Sequence, residues 1–408
     1  MLAAVALCTG RSAQTRSAVA AQDRTFAAEI AALSEPGGYF DTDNLISNER
    51  SYLHVISDLA EAHVHGGAYI GVGPDQNFSY VAHVRPAVAF MLDIRRDNLL
   101  LHLLFKSLFG LAHMRIEYLA LLFGRPPPEP ADGWDRRTVQ SLAAYIDGAR
   151  PLDGPARAKL AAQVAERLTA SGVPLTPADR QTIARFHDRF IADGLSLQFN
   201  STGRAPQFNY PTYRDLMLEV DRTGAQRNFL AAEADFQFVK GLQDRDLIIP
   251  VVGDLAGPAA LVAIGQSIAR RGERLSAFYA SNVEFYLFRN GTFPQFIGNL
   301  GRVPRADAAV VIRSVFGGYG AIVPGNSSAS LIQPIGDLVT GFAQGRFRQY
   351  SELIVGFRKV PEGSGWFREV RRQSLPSGTH RNLSELPEPT IKGVIETSSP
   401  RATSPAAS

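Results

Sequence analysis

The residues with the clearest chemical meaning are Gly71-Val72-Gly73 and Asp93, which stands 22 residues after Gly71. A strand that ends in G-x-G and turns into a helix lets a ligand approach backbone N–H groups with no Cβ in the way. A carboxylate at the end of the next strand can accept both hydroxyls of a ribose. This spacing predicts a nucleotide-like ligand, and the alternative is a tight turn followed by a surface carboxylate.

The elements around these residues form a β-α-β unit at 67–97, with a buried strand on each side of a helix at 77–84. Strands are predicted at 68–72, 87–92, 247–252, 275–280 and 308–315. Because helical patterns separate them, we expect a mostly parallel sheet with helices on both faces. The predicted fold class is therefore α/β, a Rossmann-like three-layer sandwich.

The domain organisation follows from the breaks in this alternation. The core is predicted at 26–97 and 245–372, and the helical pattern at 98–244 is too long for an ordinary crossover. It is predicted to be a helical insertion or cap after the second strand. Residues 1–25 are predicted to be a leader or a disordered N-terminus, and the polar residues 373–408 a disordered tail.

One short segment after the last predicted strand is expected to lack regular structure. Pro324-Gly325 is a turn signal, so Ser327 to Ser330 are predicted to form a surface loop.

The order of the elements resembles the core of class I S-adenosylmethionine-dependent methyltransferases. The phrases YIGVGPDQNFSYVAHVRP and VVGDLAGP…AFYASNVEFYLF also resemble an uncharacterised protein family with this fold, over roughly residues 35–320. The resemblance implies that S-adenosylmethionine lies at Gly71 and Gly73, with Asp93 on its ribose. It also implies that Asp254, after the third strand, lies near the adenine.

The methyl acceptor would face the end of the fourth strand. There Asn282 has an aromatic residue, Phe285, three positions on, as the family often does. Glu284 beside it is a candidate general base, and a first-turn acid that favours the helix dipole is an equally good interpretation.

Two further residues of the unit are cofactor-binding candidates with structural alternatives. Asp75 stands where the methyltransferase loop has its third glycine, and it could instead cap the following helix. Arg95 could meet a carboxylate or phosphate group, or it could pair with Asp97. Upstream, the polar cluster from Asn44 to Arg50 could cross the ligand mouth or act only as a capping and solvated segment.

Three functions stay open on this basis. The leading hypothesis is a methyltransferase-like enzyme with an undetermined acceptor. The second is a non-catalytic Rossmann-like binding protein, supported by Tyr69 and Asp75, which depart from the methyltransferase pattern. The third is an NAD-dependent oxidoreductase, consistent with the glycines and Asp93 alone.

Composition excludes several partners and classes. The net charge of +3 and the absence of a basic stripe argue against nucleic acid, so the expected partner is a small molecule. Charged residues interrupt the apolar stretch Leu99 to Phe123, so a buried helical hairpin is predicted rather than membrane insertion. With Cys8 as the one cysteine, a cysteine-based metal site is excluded, and no other metal site is predicted. We favour a cytoplasmic location, with export by a cleaved N-terminal signal as the alternative, and the sequence leaves the oligomeric state open.

Overall fold

A computed structural model describes residues 24–201, 210–316 and 328–354, and these residues all belong to one compact unit. The predicted leader lies outside the described residues except for its last two positions. The predicted tail lies wholly outside them.

The protein is an α/β protein built on one six-stranded, mostly parallel sheet. The strands are β1 (Ala68–Gly71), β2 (Val88–Asp93), β3 (Ile248–Val252), β4 (Leu275–Ser281), β5 (Arg305–Phe316) and β6 (Ser328–Pro334). Their order across the sheet is β3-β2-β1-β4-β5-β6, and β6 alone runs antiparallel to its neighbour. From β1 the chain adds strands β2 and β3 toward one edge of the sheet, and then β4, β5 and β6 toward the other edge. In open sheets of this kind, ligands bind where the strand order reverses, here between β1 and β4.

Fifteen α-helices are seen among the described residues. They are α1 (Phe26–Leu33), α2 (Ile56–Glu61), α3 (Gln76–Val84), α4 (Arg96–Leu111), α5 (Arg115–Leu122), α6 (Val139–Gly148), α7 (Gly154–Ala170), α8 (Pro177–Asp193), α9 (Tyr213–Leu218), α10 (Glu233–Asp244), α11 (Ala260–Arg270), α12 (Val283–Arg289), α13 (Phe293–Gly301), α14 (Ile335–Ala343) and α15 (Tyr350–Ile354).

Helices cover both faces of the sheet. The helices α3 and α4 pack on β1 to β4, and α10 packs on both of these helices. On the other side, α11 packs against α1 and α13, and α14 covers β5 and β6. Crossovers between parallel strands are right-handed. The connections from β1 to β3 and those from β3 to β5 run across the sheet in opposite directions, so this rule puts their helices on opposite faces. Seven helices, α4 to α10, lie between β2 and β3, and the first of them covers the sheet directly.

The five predicted strands are confirmed, with ends that differ from the prediction by at most three residues. Pro250 is tolerated inside β3 because β3 is an edge strand, where a missing N–H leaves no neighbour unpaired. The predicted helical hairpin is confirmed as α4 and α5, which are largely buried. Among the described residues, no helix combines the length and the apolar composition needed to cross a bilayer.

The prediction of a surface loop at Ser327 to Ser330 is wrong for the described part of that segment. Ser328 and Ser330 belong to β6 and are buried. Their hydroxyls share hydrogen bonds with the Ser51 hydroxyl, at 2.8 and 3.3 Å. A serine can lie in the core when a partner satisfies its hydroxyl, and this partner is some 280 residues away in the chain.

Candidate functional site

The carboxyl edge of the sheet is covered by residues 34–51, which we call the edge segment. It begins at β3, where the N–H of Glu35 donates to the carbonyl of Val252 at 2.9 Å. It continues past β2, where the N–H of Gly38 donates to the carbonyl of Ile94 at 2.8 Å. The segment thus starts its course across the mouth that the fold offers to a ligand.

The rest of the edge segment follows the strands in their order in the sheet. Asn44 lies next to Gly73 in the loop after β1, and Glu49 reaches the ends of β4 and β5. Ser51 then meets β6. The chain itself therefore crosses the entire carboxyl edge of the sheet. A crossing of the ligand mouth was one of the two alternatives for the cluster from Asn44 to Arg50.

The glycine loop after β1 is held from inside by the amide of Asn77. The Nδ2 group of Asn77 donates to the carbonyls of Val72 and Pro74 at 2.9 and 2.8 Å, and its Oδ1 accepts from the Tyr69 hydroxyl at 2.7 Å. A Cβ on Gly71 would lie 1.8 Å from that Oδ1 atom. Gly71 is therefore required by the chain's own packing, whatever it offers a ligand.

Replacing Gly71 with alanine is expected to lower the free energy of unfolding by about 1–3 kcal/mol, the usual cost of overpacking a core. Urea denaturation of the purified variant measures it. The matched control is Gly241→Ala in α10, where an added Cβ meets nothing within 4 Å and alanine favours the helix. Equal stability of the two variants would show that the Asn77 side chain does not occupy the space next to Gly71.

Gly73 makes the turn itself. Its φ is +82°, which a side chain disfavours, and its carbonyl accepts from the Nε2–H of His102 at 2.9 Å. His102 is fully buried, and burial lowers the pKa of its ring to about 4, so the ring is neutral at physiological pH. The loop is thus fixed from α4 as well as from α3.

Asp75 is buried at the start of α3, but its side chain makes no capping hydrogen bond. Its Oδ2 atom accepts from the Tyr213 hydroxyl of α9 at 2.8 Å. Burial raises the pKa of this carboxyl to about 6. Asp75 thus joins the glycine loop to a helix 138 residues downstream.

Asp93 and Arg95 bind each other at the end of β2. The guanidinium of Arg95 contacts both carboxylate oxygens, at 3.2 and 3.1 Å, and its backbone N–H donates to Oδ1 at 2.9 Å. Arg95 also donates to the carbonyls of Thr42 and Asp43 in the edge segment. A ribose at Asp93 would have to share or displace this contact, because Arg95 already engages both oxygens.

The loop after β3 is filled by Glu35. Its carboxylate accepts from the N–H groups of Asp254, Ala259 and Ala260, at 2.9 to 3.1 Å. It thus occupies the start of α11, where a helix favours negative charge. The Asp254 side chain instead accepts from the N–H of Ala256 at 2.9 Å, which is a local turn.

The two residues predicted to face a methyl acceptor are placed differently. Asn282 is half-buried at the end of β4. Glu284 is fully buried, and Arg313 of β5 grips both its oxygens at 2.6 and 3.0 Å. This placement favours a structural role for Glu284, because protonating the carboxylate would leave the buried guanidinium of Arg313 without its counter-ion. An arginine inside the apolar run of β5 was the one sequence signal for this pair.

A second buried acid, Glu49, lies at the ends of β4 and β5. It accepts hydrogen bonds from the hydroxyls of Tyr279, Ser281 and Ser314, and no basic side chain among the described residues forms an ion pair with it. Burial raises the pKa of Glu49. Ser281 has a φ of +52°, and backbone strain of this kind gathers at functional sites. The sequence pointed to the cluster around Glu49 but not to its three hydroxyl partners.

Several buried polar atoms near the glycine loop have no hydrogen-bond partner among the described residues. They are Oε1 of Gln76, Nδ1 of His102, and both side-chain polar atoms of Asn98. Buried polar groups are rarely left unpaired, so these atoms are places where water or a polar ligand can bind.

An open cleft of about 440 Å³ lies beside the end of β2. Its walls are the edge segment, the first residues of α4 and one side of α8. Its volume is in the range of small-molecule sites. Within the described ranges, no three His, Cys, Asp or Glu side chains are arranged to hold a metal ion.

The predicted site residues therefore lie along the same edge of the sheet, with Glu284 set back in the core. Gly71, Gly73 and Asp75 form the β1 loop, Asp93 and Arg95 follow β2, and the others follow β3 and β4. What the sequence did not reveal is which internal partner each of them has. The partners are Asn77, Tyr213, Glu35 and Arg313.

Comparison with known proteins identifies one family. The family model described as Domain of unknown function (DUF7790) matches residues 45–124 and 201–357, more than half of the chain. The match leaves out residues 125–200, which include α6, α7 and α8, and also the first part of the edge segment. No curated protein matches the chain.

Proposed function

The chain belongs to the DUF7790 family of domains of unknown function, and we propose that it is a Rossmann-like protein that binds a small molecule in the cleft beside β2. The carrying observation is that the groups expected to hold a nucleotide cofactor are bonded to the chain's own side chains. Asp93 is engaged by Arg95, and the start of α11 is engaged by Glu35. The cleft next to them is open.

A ligand that displaced Arg95 from Asp93 would do so at a cost in free energy. A ligand that took the place of Arg95 at Asp93 would leave a guanidinium that is only 6% exposed without its carboxylate. Removing the carboxylate partner of a buried charge costs several kcal/mol, which offsets much of what two ribose hydroxyls return. The contact between Arg95 and Asp93 therefore argues against S-adenosylmethionine held by Asp93 in the way the resemblance implies.

A methyltransferase-like function is the second candidate, and a specific observation favours it. The unpaired atoms of Gln76, Asn98 and His102 lie around the glycine loop and on the helix after β2. A cofactor could satisfy them without using Asp93. In that case S-adenosylmethionine would lie at the loop, and the helices between β2 and β3 would form a cap over it.

The two candidates place the ligand on different residues, and a thermal-shift panel separates them. The panel contains S-adenosylmethionine, its demethylated product, NAD, adenosine and AMP. It is run on the wild-type chain, on Tyr39→Ala in the cleft and on Gln76→Ala at the loop. We expect stabilisation of about 2.7 kcal/mol at a ligand concentration 100 times the Kd.

A ligand that stabilises the wild-type chain and Gln76→Ala but not Tyr39→Ala supports the cleft. The reverse pattern, with micromolar binding of S-adenosylmethionine, supports the methyltransferase-like candidate and overturns the cleft. Tyr39 is 77% exposed, so its replacement should not disturb folding. Circular dichroism of each variant checks this.

A further inference from the structure

We infer that the cleft beside β2 takes an anionic small molecule that carries a planar ring. The inference rests on the proposed function and names its ligand class. Four arginines line the cleft, Arg95, Arg96, Arg185 and Arg189, against two carboxylates, Asp43 and Asp97. Arg95 and Arg96 are neutralised by Asp93 and Asp179, so the positive charge that can attract an anion lies on α8, at Arg185 and Arg189.

Two of the arginines form a fixed wall. Arg95 is held by Asp93 and by two carbonyls of the edge segment. Arg96 grips both oxygens of Asp179 at 2.9 Å, and this contact lowers the pKa of Asp179 to about 2. These bonds fix the start of α4 against α8, so the shape of the cleft is formed before a ligand arrives.

The other two arginines are available to a ligand. Arg185 and Arg189 lie one turn apart on α8, on the side that faces the cleft. Arg185 makes no ion pair with any described residue; its guanidinium lies 5.6 Å from the ring centroid of Phe186 and donates to the Thr182 hydroxyl at 3.4 Å. Arg189 pairs with Asp193, an exposed contact within one helix that contributes little to stability. The N–H groups of each planar guanidinium can donate in pairs to two oxygens of a phosphate or carboxylate group.

The ring preference comes from the edge segment. Tyr39 is 77% exposed, the one large apolar side chain so exposed among the described residues, and it lines the cleft with Phe40. An exposed aromatic ring beside arginines can stack on a planar ligand while the guanidinium groups hold its anion.

The residues that make the cleft selective lie outside the stretch shared with the family. Tyr39, Arg185 and Arg189 fall outside the matched residues, whereas Arg95 and Arg96 fall within them. We therefore assign ligand choice to the first part of the edge segment and to α8, which the family model does not match.

Calorimetry with AMP, adenosine and inorganic phosphate tests the inference. We expect AMP to bind at least about tenfold more tightly than adenosine, because charge-assisted hydrogen bonds add to ring stacking. The affinity for AMP should fall as salt is raised, while that for adenosine should not. Arg185→Glu should weaken AMP at least about tenfold and leave adenosine unchanged.

The matched control is Arg136→Glu, which makes the same change of charge on a side chain that is 90% exposed and lies outside the cleft. It should leave AMP binding as in the wild-type chain. Tyr39→Ala should reduce the affinity for AMP to that for inorganic phosphate. Arg185→Lys, which keeps the charge, should retain part of the binding.

The possible outcomes distinguish failure of the anion preference from failure of the proposed small-molecule cleft. Equal binding of AMP and adenosine, with both lost in Tyr39→Ala, would overturn the anion and leave the small-molecule cleft in place. Loss of AMP binding in Arg136→Glu to the same extent as in Arg185→Glu would also overturn it. Binding of none of the three probes would overturn both the anion and the cleft.

Discussion

Replacing Arg313 with methionine is expected to lower the free energy of unfolding by about 3–5 kcal/mol. Arg313 and Glu284 are both fully buried, and they form the one ion pair of this kind among the described residues. Methionine fills much of the arginine's volume but leaves Glu284 charged and unpaired in the core. It also removes the donors to Gln333 and to the carbonyl of Leu353.

Chemical denaturation of the single and double variants measures this cost. Arg313→Met combined with Glu284→Gln should recover part of the loss, because the second change removes the stranded charge. Arg346→Met is the matched control, since Arg346 and its partner Asp337 are both more than a third exposed; its expected cost is under about 1 kcal/mol. A cost for Arg313→Met no larger than that of the control would contradict a structural role for the pair.

Replacing Asp75 with asparagine is expected to stabilise the protein at pH 8 by up to about 3 kcal/mol and to have little effect at pH 4. Burial raises the pKa of Asp75 from 3.8 to about 6. The folded chain therefore holds this proton more tightly than the unfolded chain does. The stability that this gives is complete below pH 3.8 and is lost as the pH rises through about 6.

Asparagine stays neutral throughout, and its amide oxygen can still accept from the Tyr213 hydroxyl. Urea denaturation of both proteins at several pH values between 4 and 8 gives the difference. Other titrating groups, such as His102, act equally on both proteins and cancel. A difference that does not vary with pH would show that Asp75 is not a buried carboxyl with a raised pKa.

Tyr213→Phe provides the complementary measurement. It removes the hydroxyl that stabilises the ionised form of Asp75. The variant should therefore lose more stability at pH 8 than at pH 4. The same trend in the double variant Asp75→Asn, Tyr213→Phe would show that another group is responsible.

The elements of this fold could be predicted because each is encoded locally. Apolar runs bounded by glycine and proline gave the parallel strands, and the charged residues within the apolar stretch Leu99 to Phe123 indicated the buried hairpin of α4 and α5. β6 was missed because its buried serines resemble a polar loop. The hydroxyl of Ser51, supplied from another part of the chain, helps to make their burial acceptable.

The sequence by itself determined that five candidate residues lie at the ends of strands or just after them, because strand ends can be read from the chain: Gly71, Gly73, Asp93, Asp254 and Asn282. The sequence could not determine whether these residues are free to bind a ligand or already have partners within the chain. The tertiary structure decided that Arg95 holds Asp93 and that Glu35, 219 residues before Asp254 in the chain, fills the loop after β3. The physical reason is that a buried polar group must have a partner, and long-range packing alone selects which one. Tertiary packing thus gives Asp93 and the loop after β3 partners from the chain itself, and it leaves open the arginine-lined cleft beside β2.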